Sequence, residues 1–179
     1  MAFGAYQELV RSVEGTLDAI RRLVGGVAER DLSRKPSDDG WSVLEHVCHL
    51  RDIEQEGYAV RIEKILSEDR PFLNDIDGDK LAAERDYNNQ QFHKALRSFV
   101  AARESNVRKL SGLSDDQMSR GASFENVGAI TLAQLIRMMS EHDADHLKQL
   151  ERLRDRLSSR ALSDEETSHD RTGEARTGE

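Results

Sequence analysis

Cysteine occurs once in the 179-residue chain, at Cys48. A lone thiol excludes an internal disulfide framework and fits a reducing, cytoplasmic compartment. Proline occurs only twice, so little interrupts long helices. No run approaches the ~20 apolar residues that a membrane span needs. The opening Met1-Ala2-Phe3-Gly4-Ala5-Tyr6-Gln7 lacks the basic and apolar regions of a secretion signal. Positive charge is in deficit too. Twenty-six Lys and Arg against 34 Asp and Glu give a net charge of −8, which argues against a nucleic-acid binder. A Gly-rich phosphate loop, a cysteine pair for zinc and a Gly-x-Ser-x-Gly elbow are all missing. No stretch of useful length alternates with the period of a strand, so an all-α fold is expected.

What the chain does contain is helical periodicity. From Phe3 to Arg30, Tyr6, Leu9, Val10, Val13, Leu17, Ile20, Val24 and Val27 recur in steps of three and four, predicting a first amphipathic helix. A loop with Pro36 and Ser37-Asp38-Asp39-Gly40 follows. Ser42-Val43-Leu44-Glu45 reads as a capping box that starts a second helix, to about Leu66, with Trp41 packing on its first turn. Its stripe holds Val43, Val47, Leu50, Ile53, Gly57, Val60 and Ile65. Ser67 to Asp79 is a polar connection. A third helix is expected from Lys80 to Leu110, ending near Gly112. Residues 112–130 connect onward, with a short helical turn at Ser114 to Met118. Thr131-Leu132-Ala133-Gln134 is a second capping box and opens a fourth helix, to about Leu157. Residues 158–179 are nearly devoid of apolar side chains and read as a mobile tail beyond the bundle of residues 1–157. Four amphipathic helices imply a four-helix bundle.

The histidines carry the chemical information. His142 and His146 are spaced i, i+4, which puts both imidazoles on one helix face. The spacing alone arises by chance in about one chain in six of this composition, so it needs context. On a helical wheel, both rings fall within the apolar stripe of Leu135, Met139 and Leu150. Buried imidazoles need partners for their ring nitrogens. A shared metal ion would supply them; so would carboxylates or water, and the wheel leaves both readings open. A third imidazole could come from the second helix, as His46 or His49, between which periodicity does not choose. Three histidines with an open fourth position make a catalytic-type site, where an ion can activate a water or hold a thiolate. Asp143 also points inward, either to pair with a basic side chain or to support an imidazole. Asp52, Glu56 and Asp145 are weaker candidates for supporting acceptors, with Glu56 and Asp145 as candidate bases. His93 and His169 read as surface residues, and Cys48 as packing rather than nucleophile.

Two motifs, Trp41-Ser42-Val43-Leu44-Glu45-His46-Val47-Cys48-His49-Leu50 and His142-Asp143-Ala144-Asp145-His146-Leu147, together resemble the DinB/YfiT-like superfamily of four-helix-bundle metalloproteins. Asp75, Asp77, Tyr87, Phe99, Arg103 and the Gly128–Thr131 stretch fit the same pattern, over about residues 3–155. The resemblance implies an up-down-down-up bundle with a long crossover between the second and third helices. It implies a divalent ion, zinc or nickel, held by His49, His142 and His146, since the family places its first ligand eight residues after the tryptophan. It further implies a homodimer acting on a small-molecule substrate, with a low-molecular-weight thiol as one candidate co-substrate. The activities it suggests are thiol S-transfer and metal-dependent hydrolysis. The alternative is a dimeric ligand-binding module without catalysis.

Overall fold

Two reciprocal caps fix where the decisive helices begin. At the first, Ser42 Oγ accepts from Glu45 N (3.1 Å) and Glu45 Oε2 accepts from Ser42 N (2.8 Å). At the second, Thr131 Oγ1 accepts from Gln134 N (3.2 Å) and Gln134 Oε1 from Thr131 N (2.8 Å). Both match the expected capping boxes. The structure is a computed structural model that describes the backbone of residues 3–37 and 40–173 and the side chains of 6–37 and 40–160. Asp38 and Asp39 of the expected loop, residues 174–179 and the side chain of His169 lie outside the described residues.

Four rods form the bundle. The first is α1 (Phe3–Gly25), which stops at the Gly25-Gly26 pair, short of the expected Arg30. The second is continuous: α2 (Val43–Asp52), a π-helical segment (Ile53–Tyr58) and α3 (Ala59–Ser67). The expected third helix is broken in two. Its start is the short α4 (Gly78–Glu84), then the chain turns through Asp86 in the left-handed region (φ 48°) and a 3-10 turn (Tyr87–Asn89). The bundle rod is α5 (Phe92–Ser111). The break lets Tyr87 turn inward, where its hydroxyl donates to Asp52 Oδ2 (2.7 Å). A single turn, α6 (Asp115–Met118), follows where a helical turn was expected. The last rod, α7 (Leu132–Gly173), runs past Leu157 to the first glycine after the capping box.

Side-chain pairs give the directions. Ser98, Asn106 and Lys109 of α5 meet Gln55, Glu54 and Glu63, so α5 runs parallel to the second rod. Tyr6 and Ser12 of α1 lie near Thr131 and Ser140 of α7, so those two are parallel as well. His46 and His49 meet His146 and His142, so the second rod and α7 are antiparallel. The bundle is therefore up-down-down-up, with the long crossover between the second and third rods.

The crossover also joins the connection between α5 and α7 in a small sheet that the sequence reading missed. Strand β1 (Phe72–Leu73) pairs in parallel with β2 (Gly121–Phe124), which pairs antiparallel with β3 (Gly128–Thr131). Strands of two to four residues are too short for alternation to register. The tight β2–β3 turn rests on Asn126 (φ 60°) and Gly128 (φ 95°).

The core is split. One apolar cluster includes Val13, Ile62, Ile65, Leu135 and Met139; the other includes Ile20, Val47, Leu50, Phe99 and Leu150. Between them the second rod, α5 and α7 turn polar side chains inward: Glu54, Arg103, Asn106, Asp143 and His146 are all buried. Among the described residues, no helix is long and apolar enough to cross a membrane.

Candidate metal centre

The polar layer begins with an ion cluster. Arg103 of α5, 1 % exposed, pairs with Glu54 Oε2 (2.8 Å) and Asp143 Oδ2 (2.5 Å) and donates to Val13 O (3.0 Å). Asn106 Nδ2 donates to the other Glu54 oxygen (2.7 Å). Burial pushes the Glu54 carboxyl above its ordinary range. Asp143 is equally buried, yet the Arg103 guanidinium holds it below that range. Asp143 thus takes the structural partner expected of it. It also faces His142, whose Nδ1 lies 3.8 Å from Asp143 Oδ1.

Beside this cluster three imidazoles converge. His142 Nε2 lies 3.1 Å from His49 Nε2 and 3.2 Å from His146 Nε2, and one ligand atom from each ring falls within 4.8 Å of the others. Ligands about 2.0–2.1 Å from a tetrahedral ion stand roughly 3.3 Å apart, so the two short separations fit one. Proton placement fits as well. Three Nε2 lone pairs facing one point repel one another unless a cation lies between them. With those lone pairs free, the protons sit on Nδ1. The Nδ1 of His146 then has an acceptor in His46 Nδ1 (2.9 Å). The donor set therefore suits a divalent ion.

The structure separates the two candidates on the second rod. His49 joins the cluster; His46 stands behind His146, outside it. Burial, reinforced by the neighbouring imidazoles, pulls His49 down to about 3 and His146 to about 2; burial pulls His46 to about 4. All three are neutral near pH 7, the form a ligand requires. Trp41 does not simply staple the first turn. Its ring lies 4.8 Å from His49 and 6.2 Å from His146, walling one side of the cluster. Gly78, at the start of α4, passes so close that a Cβ there would sit 2.6 Å from His49 Cε1.

The weaker candidates point elsewhere. Glu56 is clasped by Arg85 through both oxygens (2.7 and 2.8 Å). Asp52 accepts from Tyr87, Arg85 and Arg51. Asp145 is exposed and pairs with Lys148 (2.9 Å). His93 is exposed, as expected. Cys48 is buried against Tyr87 O and Gln90, and burial pushes its thiol up to about 11, so it is packing and no nucleophile.

The three imidazoles line a cleft of about 470 Å³, whose other walls include Trp41, Tyr58, Arg61 and Phe124. Sequence reading missed Tyr58 and Arg61. The Tyr58 ring lies 6.1 Å from the His142 ring, and burial pushes its phenol up, so it stays a hydrogen-bond donor at neutral pH. Its hydroxyl has no hydrogen-bond partner among the described residues. The nearest signal in the sequence was Gly57-Tyr58 within an otherwise charged helix, which periodicity alone does not flag.

A family model described as the DinB superfamily matches residues 12–150. The uncharacterized protein YuaE of Bacillus subtilis strain 168 is 22% identical over 146 residues, spanning 74% of this chain and 88% of that protein. The solved structure of YfiT from Bacillus subtilis is described as a probable metal-dependent hydrolase with an unusual four-helix bundle topology. It aligns with a TM-score of 0.79 at 20% identity, covering 88% of this chain and 90% of that one. At that identity the likeness to YfiT is one of fold.

Proposed function

The chain belongs to the DinB superfamily, and from that premise we propose that it is a metal-dependent enzyme of hydrolase type whose ion is held by His49, His142 and His146. The observation that carries this reading is the convergence of three imidazoles on the floor of an open cleft. Imidazole donors suit zinc or nickel. When bound, the ion supplies Lewis-acid chemistry towards a water or a thiol. The protein's own groups do the rest. Tyr58 offers a proton-bearing hydroxyl to a developing negative charge. Trp41 and Phe124 exclude water from one face each. Asp143, fixed by Arg103, steadies His142.

One observation favours thiol transfer as a second reading. Among the described residues, the only carboxylate paired with the cluster is Asp143, on the far nitrogen of His142. A thiol held by a divalent ion is deprotonated outright and needs no base, whereas an ion-bound water is only partly deprotonated near neutral pH. Cys48 does not reach the cleft, so such a thiol would come from a small molecule.

Elemental analysis of protein purified without a histidine tag tests the premise: about one zinc or nickel per chain is expected, lost in His142→Ala. Zinc-loaded protein offered esters and amides, and separately small thiols with electrophiles, then tells the two activities apart. A metal-free wild-type protein would remove both.

A further inference from the structure

The cleft holds one cationic side chain, Arg61, that the metal reading leaves unused. Arg61 is buried, 7% exposed, on α3. Its guanidinium lies over aromatic surface, with Cζ 4.6 Å from the Phe124 ring and 5.9 Å from the Tyr58 ring. One edge is occupied. Nε and Nη2 both donate to Asn74 O (3.2 and 2.7 Å), and Asp75 Oδ1 stands 3.6 Å from Nη2. The other edge is free: Nη1 has no hydrogen-bond partner among the described residues. The chain keeps room beside it, since a Cβ on Gly57 would lie 3.4 Å from Nη1 and 3.4 Å from Ile76 Cδ1.

An anion reaching the Nη1 edge would gain a charge-assisted hydrogen bond beside an apolar wall, where such bonds are strong. The Tyr58 ring lies about 6 Å from both the Arg61 guanidinium and the His142 ring, and all three line the cleft. A molecule reaching the imidazoles would therefore carry its anion one ring's breadth away, over an apolar floor. Asp75 and Asp79 also line the cleft. Their carboxylates tolerate a monoanion held by Arg61 but oppose a second negative charge.

We propose that Arg61 is the anion anchor of this cleft, and that the substrate is a small molecule bearing a carboxylate beside an apolar group. The proposal rests on the reading of the cleft as the substrate site, and its test does not need turnover. Trp41 is the only tryptophan in the chain and lines the cleft, so its fluorescence reports occupancy. The full chain is titrated, metal-free and zinc-loaded, with 3-phenylpropionate, with the neutral 3-phenylpropanamide and with phenyl phosphate. The acid is expected to bind saturably, at least about tenfold more tightly than the amide, as a hydrogen bond to a charged group implies. It should also bind more tightly than the phosphate.

Arg61→Met should erase the preference for the acid while the amide binds as before, and Arg61→Lys should keep part of it. Gly57→Ala leaves the Asn74 contact intact and should weaken the acid alone, which a merely structural Arg61 would not produce. Wild type binding acid and amide alike, or no saturable response to the acid, overturns the proposal; so does Gly57→Ala with unchanged acid affinity. A protein that takes up no zinc yet prefers the acid through Arg61 sinks the metal reading and leaves the anchor standing. A zinc-loaded protein indifferent to charge does the reverse.

Discussion

The Nδ1 atoms of His46 and His146 face each other at 2.9 Å. Of two neutral imidazoles in that contact, one must donate and the other accept. With His146 offering Nε2 to the cluster, its Nδ1 carries the proton and His46 accepts it. His46 thereby fixes the tautomer and ring plane of its neighbour from behind.

That arrangement predicts unequal losses along one helix turn. His49→Ala should abolish stoichiometric zinc. His46→Ala should retain zinc with affinity weakened about 10–100-fold, the usual loss when an outer partner is removed. Competition against a chelator of known affinity measures both. The opposite ranking would mean that the cluster is assigned one turn out of place.

Gly78→Ala should separate metal affinity from stability. The glycine is helical and has an ordinary φ, so alanine suits the backbone and favours α4. Its methyl, however, would press on His49 at 2.6 Å and swing that ring out of the cluster. The expected variant melts no lower than wild type and binds zinc more weakly. Unchanged zinc affinity would show that the ring relaxes at no cost.

How far the sequence foretold this site depends on the local helix type. The inward turn of His142, Asp143 and His146 was legible because α7 is regular and its stripe holds a constant phase. The same wheel failed on the second rod. It counted Val60 with the stripe, yet Val60 is 46% exposed, while Ile62, left out of it, is buried; Ile65 is buried as expected. The π-helical segment Ile53–Tyr58 adds a residue to its turn and rotates everything after it. A wheel cannot choose between His46 and His49, which are both buried upstream of that segment, and drawn through the segment it hides Arg61. The resemblance to a family resolved the histidines because it counts from Trp41, upstream of the π turn. The sheet and the break at Asp86 stayed hidden for another reason. Both are held by tertiary contacts, such as Tyr87 with Asp52, that no local pattern records.

Acid should destabilise the metal-free protein earlier than its carboxylates require. Burial holds His49 near 3, His46 near 4 and His146 near 2, against 6.5 for a free imidazole. Below pH 6.5 the unfolded chain therefore binds protons that the folded one refuses. Stability is complete above that value and falls as the pH drops from there towards 4. Urea midpoints at pH 7.5, 6 and 5 should decline in step, and His146→Gln should flatten the decline. A midpoint constant from pH 7.5 to 5 would show that the imidazoles protonate without leaving the fold.

The ion cluster of Arg103, Glu54 and Asp143 should be the most sensitive point in the bundle. Among the described residues, Arg103 is the sole cation between two carboxylates that are each fully buried. Arg103→Met preserves much of the volume and removes the charge, leaving both carboxylates uncompensated at a cost of about 3–5 kcal/mol. The loss arises from stranded charge rather than from a missing contact, so neutralising the partners should reverse most of it. Arg103→Met combined with Glu54→Gln and Asp143→Asn should regain stability in urea denaturation. It should not regain zinc affinity, because a neutral amide at that position cannot steady His142 as the Asp143 carboxylate does. If the single variant loses less than about 1 kcal/mol, the value of an exposed pair, water reaches the layer and the two apolar clusters are not sealed around it.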